Sequence, residues 1–378
     1  MNSKSLPVAK QHGRIVKQRS IEPETIKRVV VRGANWVGDA VMTVPALREL
    51  RRVLPGARIT LTTRAWAEGI FAGADFLDEL VLIDGAARGL RSVWRQATEW
   101  RARRFDLAVL LPNAFETALV AFAARVPRRV GYATDGRGVL LSNPLPVPEW
   151  RAQRHEVFYY LNIIAELERL LRGSSDIETR EPRTGLHVAE ERRRAAREML
   201  RARGVGLNRP LVVLCPGSTN SRAKRWPAER FAALADRLVE EAGADAVLIG
   251  APEESEVSES VAALMRHKPI VLTGETTLAQ TAALLGVADL LVTNDTGPAH
   301  VAVAVGCPVV VIFGPTNPLT TRPYSTLAEV VRVPPECAPC MLRDCPIDHR
   351  CMTAITADNV FERAVAVLER RPKLEAVR

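Results

Sequence analysis

Lysine is scarce in this chain, and so are aromatic residues and long apolar runs. Seven lysines stand against 45 arginines in 378 residues. A habit on that scale makes the net charge of +9 weak evidence for nucleic acid. No segment interleaves basic and aromatic residues as nucleic-acid-binding modules do, so no nucleic-acid partner is expected. The positive balance suits anionic partners in general: a nucleotide, a phosphorylated lipid or a membrane surface. Aromatics are 5% of the residues, so the core must be built mainly of Ala, Val and Leu. No stretch approaches the ~20 apolar residues that a membrane span needs. The first 25 residues have no apolar h-region of a secretory signal. The six cysteines do not form a disulfide framework, since Cys215 and Cys307 are isolated and the other four cluster. Together these absences lead us to expect a cytoplasmic protein. No acid precedes Glu22, whereas Lys4, Lys10, Arg14, Lys17 and Arg19 do. Residues 1–25 read as a disordered basic leader, or as a weak electrostatic tether to anionic lipid.

What is present is ordinary for a globular protein: 47% hydrophobic and 25% charged residues. The length suggests about two domains. From Ile26 the chain alternates between β-branched runs and helical periodicity. Strands are expected at 26–31, 58–62, 80–83 and 106–111, with helices at 40–53, 66–73 and 90–103. Residues 172–185 are polar and read as a linker. Strands at 211–215, 246–249, 269–272, 289–293 and 308–313 then alternate with helices at 228–241, 277–285 and 297–305. Repeated β-α-β implies parallel sheets covered by helices. Both halves open with strand, Gly-containing loop, helix. The expectation is therefore an α/β protein of two doubly wound domains facing across a cleft, with ligands beyond the carboxyl ends of strands.

The chemistry-bearing residues fall just after those strands. Arg32-Gly33-Ala34-Asn35-Trp36-Val37-Gly38-Asp39 lacks the GxGxxG pattern, and no acid ends the second strand, which disfavours a dinucleotide site. Asp39 near a helix start is either an N-cap or a carboxylate offered as general base. Cys215-Pro216-Gly217-Ser218-Thr219 through Lys224 places backbone and hydroxyl donors before a cation and a helix, an arrangement for phosphates. Lys224 is the only lysine between Lys27 and Lys268; it is a compact charge for an anion or a solvated loop residue. Asp295-Thr296-Gly297-Pro298-Ala299-His300 opens an apolar helix. The N–H groups of Thr296 and Gly297 would meet an anion there, with His300 one turn in. Glu253 and Glu254 follow another strand and are either ribose-binding acids or ordinary helix-start acids.

Cys337-x2-Cys340-x4-Cys345-x5-Cys351 lies among prolines, where little core would hold it. Structural zinc is the expectation, with an iron–sulfur cluster, redox disulfides and free thiols as alternatives. Leu90–Arg104 mixes Trp94 and Trp100 with five arginines. It is either a solvated amphipathic helix or a face for anionic membrane or acceptor phosphates.

The blocks GDAVMTVPALREL, LPNAFETALV, CPGSTNSRAKRWP and TNDTGPAHVA, in that order over about residues 28–320, resemble those of the ADP-heptose:lipopolysaccharide heptosyltransferases, glycosyltransferase family 9. LPNAF and Ala-Lys-Arg-Trp-Pro are more similar to the type II enzymes than to type I. The resemblance implies a GT-B fold. Residues 26–171 would be an acceptor domain, 172–188 a linker, and 189–378 a nucleotide-sugar domain carrying the 337–351 segment. It implies a metal-independent, inverting transfer from ADP-heptose to a phosphorylated, lipid-linked inner-core acceptor at the cytoplasmic leaflet. By the same resemblance Asp39 is the base. Gly217, Ser218, Thr219, Lys224, Asp295, Thr296, Gly297 and His300 contact the donor diphosphate, with Lys224 stabilising the leaving group. Glu254 contacts the ribose, with Glu253 adjacent. Asn113 and Phe115 lie on the acceptor side.

Overall fold

The central strands form where apolar, largely β-branched runs are buried on both faces, as parallel sheets require. The computed structural model describes residues 23–83, 89–206 and 208–370. The expected leader, apart from Pro23–Thr25, lies outside the described residues. Six strands make the first sheet: β1 (Arg28–Arg32), β2 (Arg58–Arg64), β3 (Glu79–Ile83), β4 (Leu107–Leu110), β5 (Arg128–Tyr132) and β6 (Asn143–Leu145). Six more make the second: β7 (Leu211–Cys215), β8 (Asp245–Leu248), β9 (Ile270–Val271), β10 (Leu290–Asn294), β11 (Val309–Ile312) and β12 (Ala328–Val331).

All pairings are parallel. The spatial orders are β3-β2-β1-β4-β5-β6 and β9-β8-β7-β10-β11-β12. The two sheets thus repeat one topology. In each, the order reverses beside the first strand, between β1 and β4 and between β7 and β10, which opens a crevice at the carboxyl ends of those strands. Two doubly wound parallel sheets are the domains of a GT-B fold, as the sequence led us to expect.

Contacts divide the chain into two compact units. The first takes in the described residues up to Asn35, Thr43–Ala65 and Asp75–Arg183. The second takes in Trp36–Met42, Trp66–Ala74 and the described residues from Thr184 onward. In the first, Trp100 meets Phe105 edge-on at 6.1 Å, within a core that includes Val30, Ala108, Leu110 and Ala121. In the second, Trp226 meets Phe231 edge-on at 4.9 Å, and its indole N–H donates to the Ile355 carbonyl at 2.9 Å.

One expected helix, 40–53, is two: Val37–Met42 and Val44–Val53. Pro45 has no N–H to donate to the Val41 carbonyl, so the ladder breaks at Thr43. The helix Leu278–Leu285 starts at a full capping box. Thr277 Oγ1 accepts from the Gln280 N–H at 3.3 Å, and Gln280 Oε1 accepts from the Thr277 N–H at 2.8 Å.

Candidate functional site

In the second unit, four loops at the carboxyl ends of β7, β8, β10 and β11 are bound to one another through side chains. Lys224 Nζ donates to Asp295 Oδ2 at 2.9 Å and to the Asp295 carbonyl at 3.0 Å. An ammonium has three N–H donors, so one remains for a ligand. Thr316, after β11, donates to the same Asp295 oxygen at 2.6 Å. Asn294 ends β10 fully buried and ties the loops at their base. Its Nδ2 donates to the Pro216 carbonyl at 2.8 Å, and its Oδ1 accepts from the Trp226 N–H at 3.1 Å.

Thr296 is the N-cap of the helix Gly297–Ala304. The first N–H groups of any helix have no intrahelical acceptor, and the dipole behind them favours negative charge. Ser218 is buried and its carbonyl is held by Arg225, at 3.2 Å from one guanidinium nitrogen. Thr219 Oγ1 donates to Glu254 Oε1 at 3.1 Å, and Glu254 Oε2 accepts from the Ala251 N–H at 2.9 Å. Glu254 is buried whereas Glu253 is exposed. Any side chain on Gly217 would overlap the Glu254 carboxyl, so glycine is what lets the β7 loop close on that acid. Burial, reinforced by the Glu254 charge, pushes the Cys215 thiol up to about 12. It stays protonated and is no nucleophile.

Asp39 and His300 belong to this same unit by contact. Asp39 is half-buried in the first turn of the helix Val37–Met42. The Ala40 N–H donates to the Trp36 carbonyl at 2.8 Å, which makes Trp36 the N-cap. Asp39 is therefore at the third helical position, and the N-cap alternative falls away. The His300 ring, 5% exposed, packs against Gly38, where a Cβ would stand 3.0 Å from Cδ2.

In the first unit, Asn113 follows β4. Its Nδ2 donates to the Tyr159 hydroxyl at 3.0 Å. Phe115, 45% exposed, begins the helix Phe115–Ala123. What holds this turn is Arg137, a residue the motif reading did not single out. It is fully buried, and its guanidinium donates to the carbonyls of Tyr132 at 2.7 Å and Pro112, and to Thr117 Oγ1 at 3.1 Å. Burial depresses its pKa to about 10. Tyr132 stacks on Tyr159 at 4.2 Å, and burial raises both phenols. Arg137 shows no sequence signal, because its partners are gathered from three turns by the fold.

The cysteine segment corrects one expectation. Among the described residues no group of three or more His, Cys, Asp or Glu side chains could hold a metal ion, and all four thiols are free. Zinc is therefore not supported. Cys351 is drawn into the apolar core beside Met352, while Cys337 and Cys340 face solvent. Burial and then the neighbouring Cys340, Cys345 and Cys337 raise the Cys351 thiol. Nor does the segment stand apart from the phosphate-type loop. The Ala223 N–H donates to the Arg343 carbonyl at 2.9 Å, Ser221 Oγ donates to that carbonyl at 3.2 Å, and the Met341 N–H donates to the Pro315 carbonyl at 2.9 Å. The segment braces both loops that meet at Asp295.

In the helix Leu90–Arg103, Trp100 is buried, against the mixed surface expected of it, while Trp94 and Leu90 are 64% and 70% exposed.

Paired cation, hydroxyl donors and a helix start thus lie together at the carboxyl ends of β7 and β10. Comparison with known proteins shows the family. A model of glycosyltransferase family 9 (heptosyltransferase) matches residues 93–350. The chain belongs to that family. As a family 9 glycosyltransferase it is 30% identical, over 312 residues, to the lipopolysaccharide heptosyltransferase 2 of Salmonella typhimurium, covering 81% of this chain and 88% of that one. The solved E. coli ADP-heptose lipopolysaccharide heptosyltransferase II matches with a TM-score of 0.75 at 27% identity, over 91% of this chain and 99% of that one. A family 9 glycosyltransferase from Veillonella parvula matches with a TM-score of 0.81, also at 27% identity, over 94% and 100%.

Proposed function

We propose that this heptosyltransferase moves heptose from ADP-heptose to a phosphorylated, lipid-linked inner-core acceptor of lipopolysaccharide, with inversion at the anomeric carbon. The observation that carries the reading is the Lys224–Asp295 pair at 2.9 Å beside the start of the helix Gly297–Ala304. In this reading that cation and helix N-terminus meet a leaving diphosphate as it gains charge. The likeness to the E. coli ADP-heptose lipopolysaccharide heptosyltransferase II supports the donor and the acceptor class.

In this reading residues 26–171 bind acceptor and 189–378 bind donor, joined through 172–188. Asp39 takes the proton of an acceptor hydroxyl. The freed oxygen lone pair forms the new bond to the anomeric carbon through an oxocarbenium-like state. The bond from that carbon to the diphosphate oxygen breaks, and its electron pair leaves with ADP. Lys224 and the N–H groups of Thr296 and Gly297 meet the growing charge, so this step asks for no metal ion. Gly217, Ser218 and Thr219 line the diphosphate, His300 faces it from one turn in, and Glu254 accepts from ribose hydroxyls. Asn113 and Phe115 contact the acceptor.

No helix among the described residues is long and apolar enough to cross a membrane. Contact with an anionic leaflet, from the cytoplasmic side, would use exposed Leu90 and Trp94 with Arg91 and Arg95. The test is product analysis with ADP-heptose and with other nucleotide sugars, followed by NMR of the new linkage. Transfer from ADP-heptose alone, with the anomeric configuration inverted, is expected. Preference for another nucleotide sugar, or retention, would replace the reading with another GT-B transferase.

A further inference from the structure

The first unit has an opening of its own at the switch point between β1 and β4. Arg32 and Asn35 reach it from the end of β1, Arg64 from the end of β2, and Thr117 from the helix after β4. Gln96 and Trp100 close it from the helix Leu90–Arg103, and one acid, the exposed Glu116, lines it beside Thr117. Three features of this pocket are anomalous for the interior of a protein.

The first is a buried cation without a carboxylate partner. Arg32 is 7% exposed, yet its guanidinium donates only to neutral acceptors, the Gly33 carbonyl at 2.6 Å and Asn35 Oδ1 at 2.9 Å. Buried charges are ordinarily paired. The second is a like charge beside it. Burial first, and then the Arg64 charge, lower Arg32 to about 10, and Glu116 only partly opposes them. Neither arginine has an ion pair among the described residues. The third is an orphaned donor. Trp100 is 1% exposed, and its Nε1 is buried with no hydrogen-bond partner. Buried donors are nearly always satisfied. One missing group would answer all three: an acceptor that carries negative charge.

We propose that this pocket binds an oxyanion substituent of the acceptor, a phosphomonoester or a carboxylate, through Arg32 and Arg64 with the Trp100 indole N–H as a third donor. The guanidinium fork suits either group. The inference rests on the acceptor-side reading of the first unit and adds what that side recognises. It gives Arg64 a specificity role that none of the sequence motifs carries. An acceptor lacking the anionic group would be bound more weakly, because Glu116 alone would oppose two arginines.

The test is calorimetric titration of the full chain with inorganic phosphate, and separately with acetate, in a buffer free of other oxyanions. A saturable site is expected for at least one of them, and the stronger identifies which group the pocket takes. Arg64→Gln removes the more exposed charge and leaves the buried Arg32 in place, so it should fold. It should weaken that site at least tenfold, the loss of one charge-assisted contact. Trp100→Phe deletes the N–H together with part of a buried ring, so its Tm is measured alongside; where the variant is folded it should weaken the site severalfold. Lys224→Ala, which alters the second unit, should leave the Arg64-dependent site in place.

The proposal is overturned if wild type binds neither anion saturably. It is equally overturned if Arg64→Gln binds as wild type does, or if Lys224→Ala removes the binding instead. None of these readouts requires sugar transfer. A chain that binds phosphate through Arg64 but transfers no heptose would refute the proposed reaction and leave this pocket standing.

Discussion

At the end of β7 and β10, Lys224 is matched by Asp295, and Asp295 is matched again by Thr316. In the first unit, Arg32 at the end of β1 and Arg64 at the end of β2 have no ion pair among the described residues, with Glu116 lining the same pocket, and Arg137 is buried among carbonyls. The strand order is the same in both sheets. The chemistry at their crevices differs: in one the lysine is ion-paired with an aspartate, in the other two arginines share a pocket with one acid and have no ion pair among the described residues. In the proposed reading, the paired site takes up and releases a diphosphate, with Asp295 receiving the ammonium back when the ligand departs. In the same reading, the excess of positive charge in the first unit favours an anionic acceptor. The contrast fits a leaving group that must dissociate on one side and an acceptor that must be selected on the other.

The largest effect that would sharpen this contrast is expected at Asp39. Asp39→Asn keeps the size but cannot take a proton at neutral pH, so transfer should fall roughly 10²–10⁴-fold while ADP binding is unchanged. Steady-state rates alongside ADP calorimetry would check it, and near-normal turnover would remove Asp39 from the chemistry. Next comes Lys224→Ala, which strips the balanced crevice of its cation and leaves Asp295 unpaired. Donor affinity should drop roughly ten- to hundredfold, from about 1.5–3 kcal/mol for a charge-assisted bond. Lys224→Arg should lose less. Unchanged donor binding in the alanine variant would mean the pair is purely structural.

Arg137→Gln tests the other crevice. It would orphan the Tyr132 and Pro112 carbonyls and cost about 1–3 kcal/mol in urea unfolding. Transfer should also suffer, because the turn carrying Asn113 loosens. A variant as stable as wild type would show that the buried guanidinium is replaceable.

The smallest effect lies outside both crevices. Burial alone would raise the Asp236 carboxyl, but N–H groups of Arg266 and His267, both at 3.0 Å, outweigh it and hold its pKa below the ordinary 3.8. A carboxyl depressed in the folded state stabilises above its unfolded pKa, and that contribution is lost as pH falls toward the folded value. Asp236→Asn should therefore flatten the acid limb of the stability curve. An unchanged acid limb would contradict this.

Much of the fold was legible because parallel strands buried on both faces leave continuous apolar runs, as in Leu211–Cys215 and Val309–Ile312. β5 and β6 were not read. β5 begins with Arg128-Arg129, and β6 is an edge strand containing Pro144, so neither looks like buried strand. The candidate site's donor groups were legible where the chain itself sets them after a strand, as at 216–224 and 295–300. It was not legible where partners come from afar. Lys224 and Asp295 are 71 residues apart, and neither motif says that the other neutralises it. Arg137 and Arg64 stand outside every motif, in a chain so rich in arginine that no single one attracts notice. The cysteines misled for the opposite reason: their spacing suits a metal, but Cys351 is claimed by the core.

The most direct measurement is mass spectrometry of a monoheptosylated inner-core acceptor incubated with the purified protein and ADP-heptose, without added metal. The account predicts a gain of one heptose on the acceptor and an equal amount of ADP released. No gain with ADP-heptose, alongside transfer from a different nucleotide sugar, would contradict it.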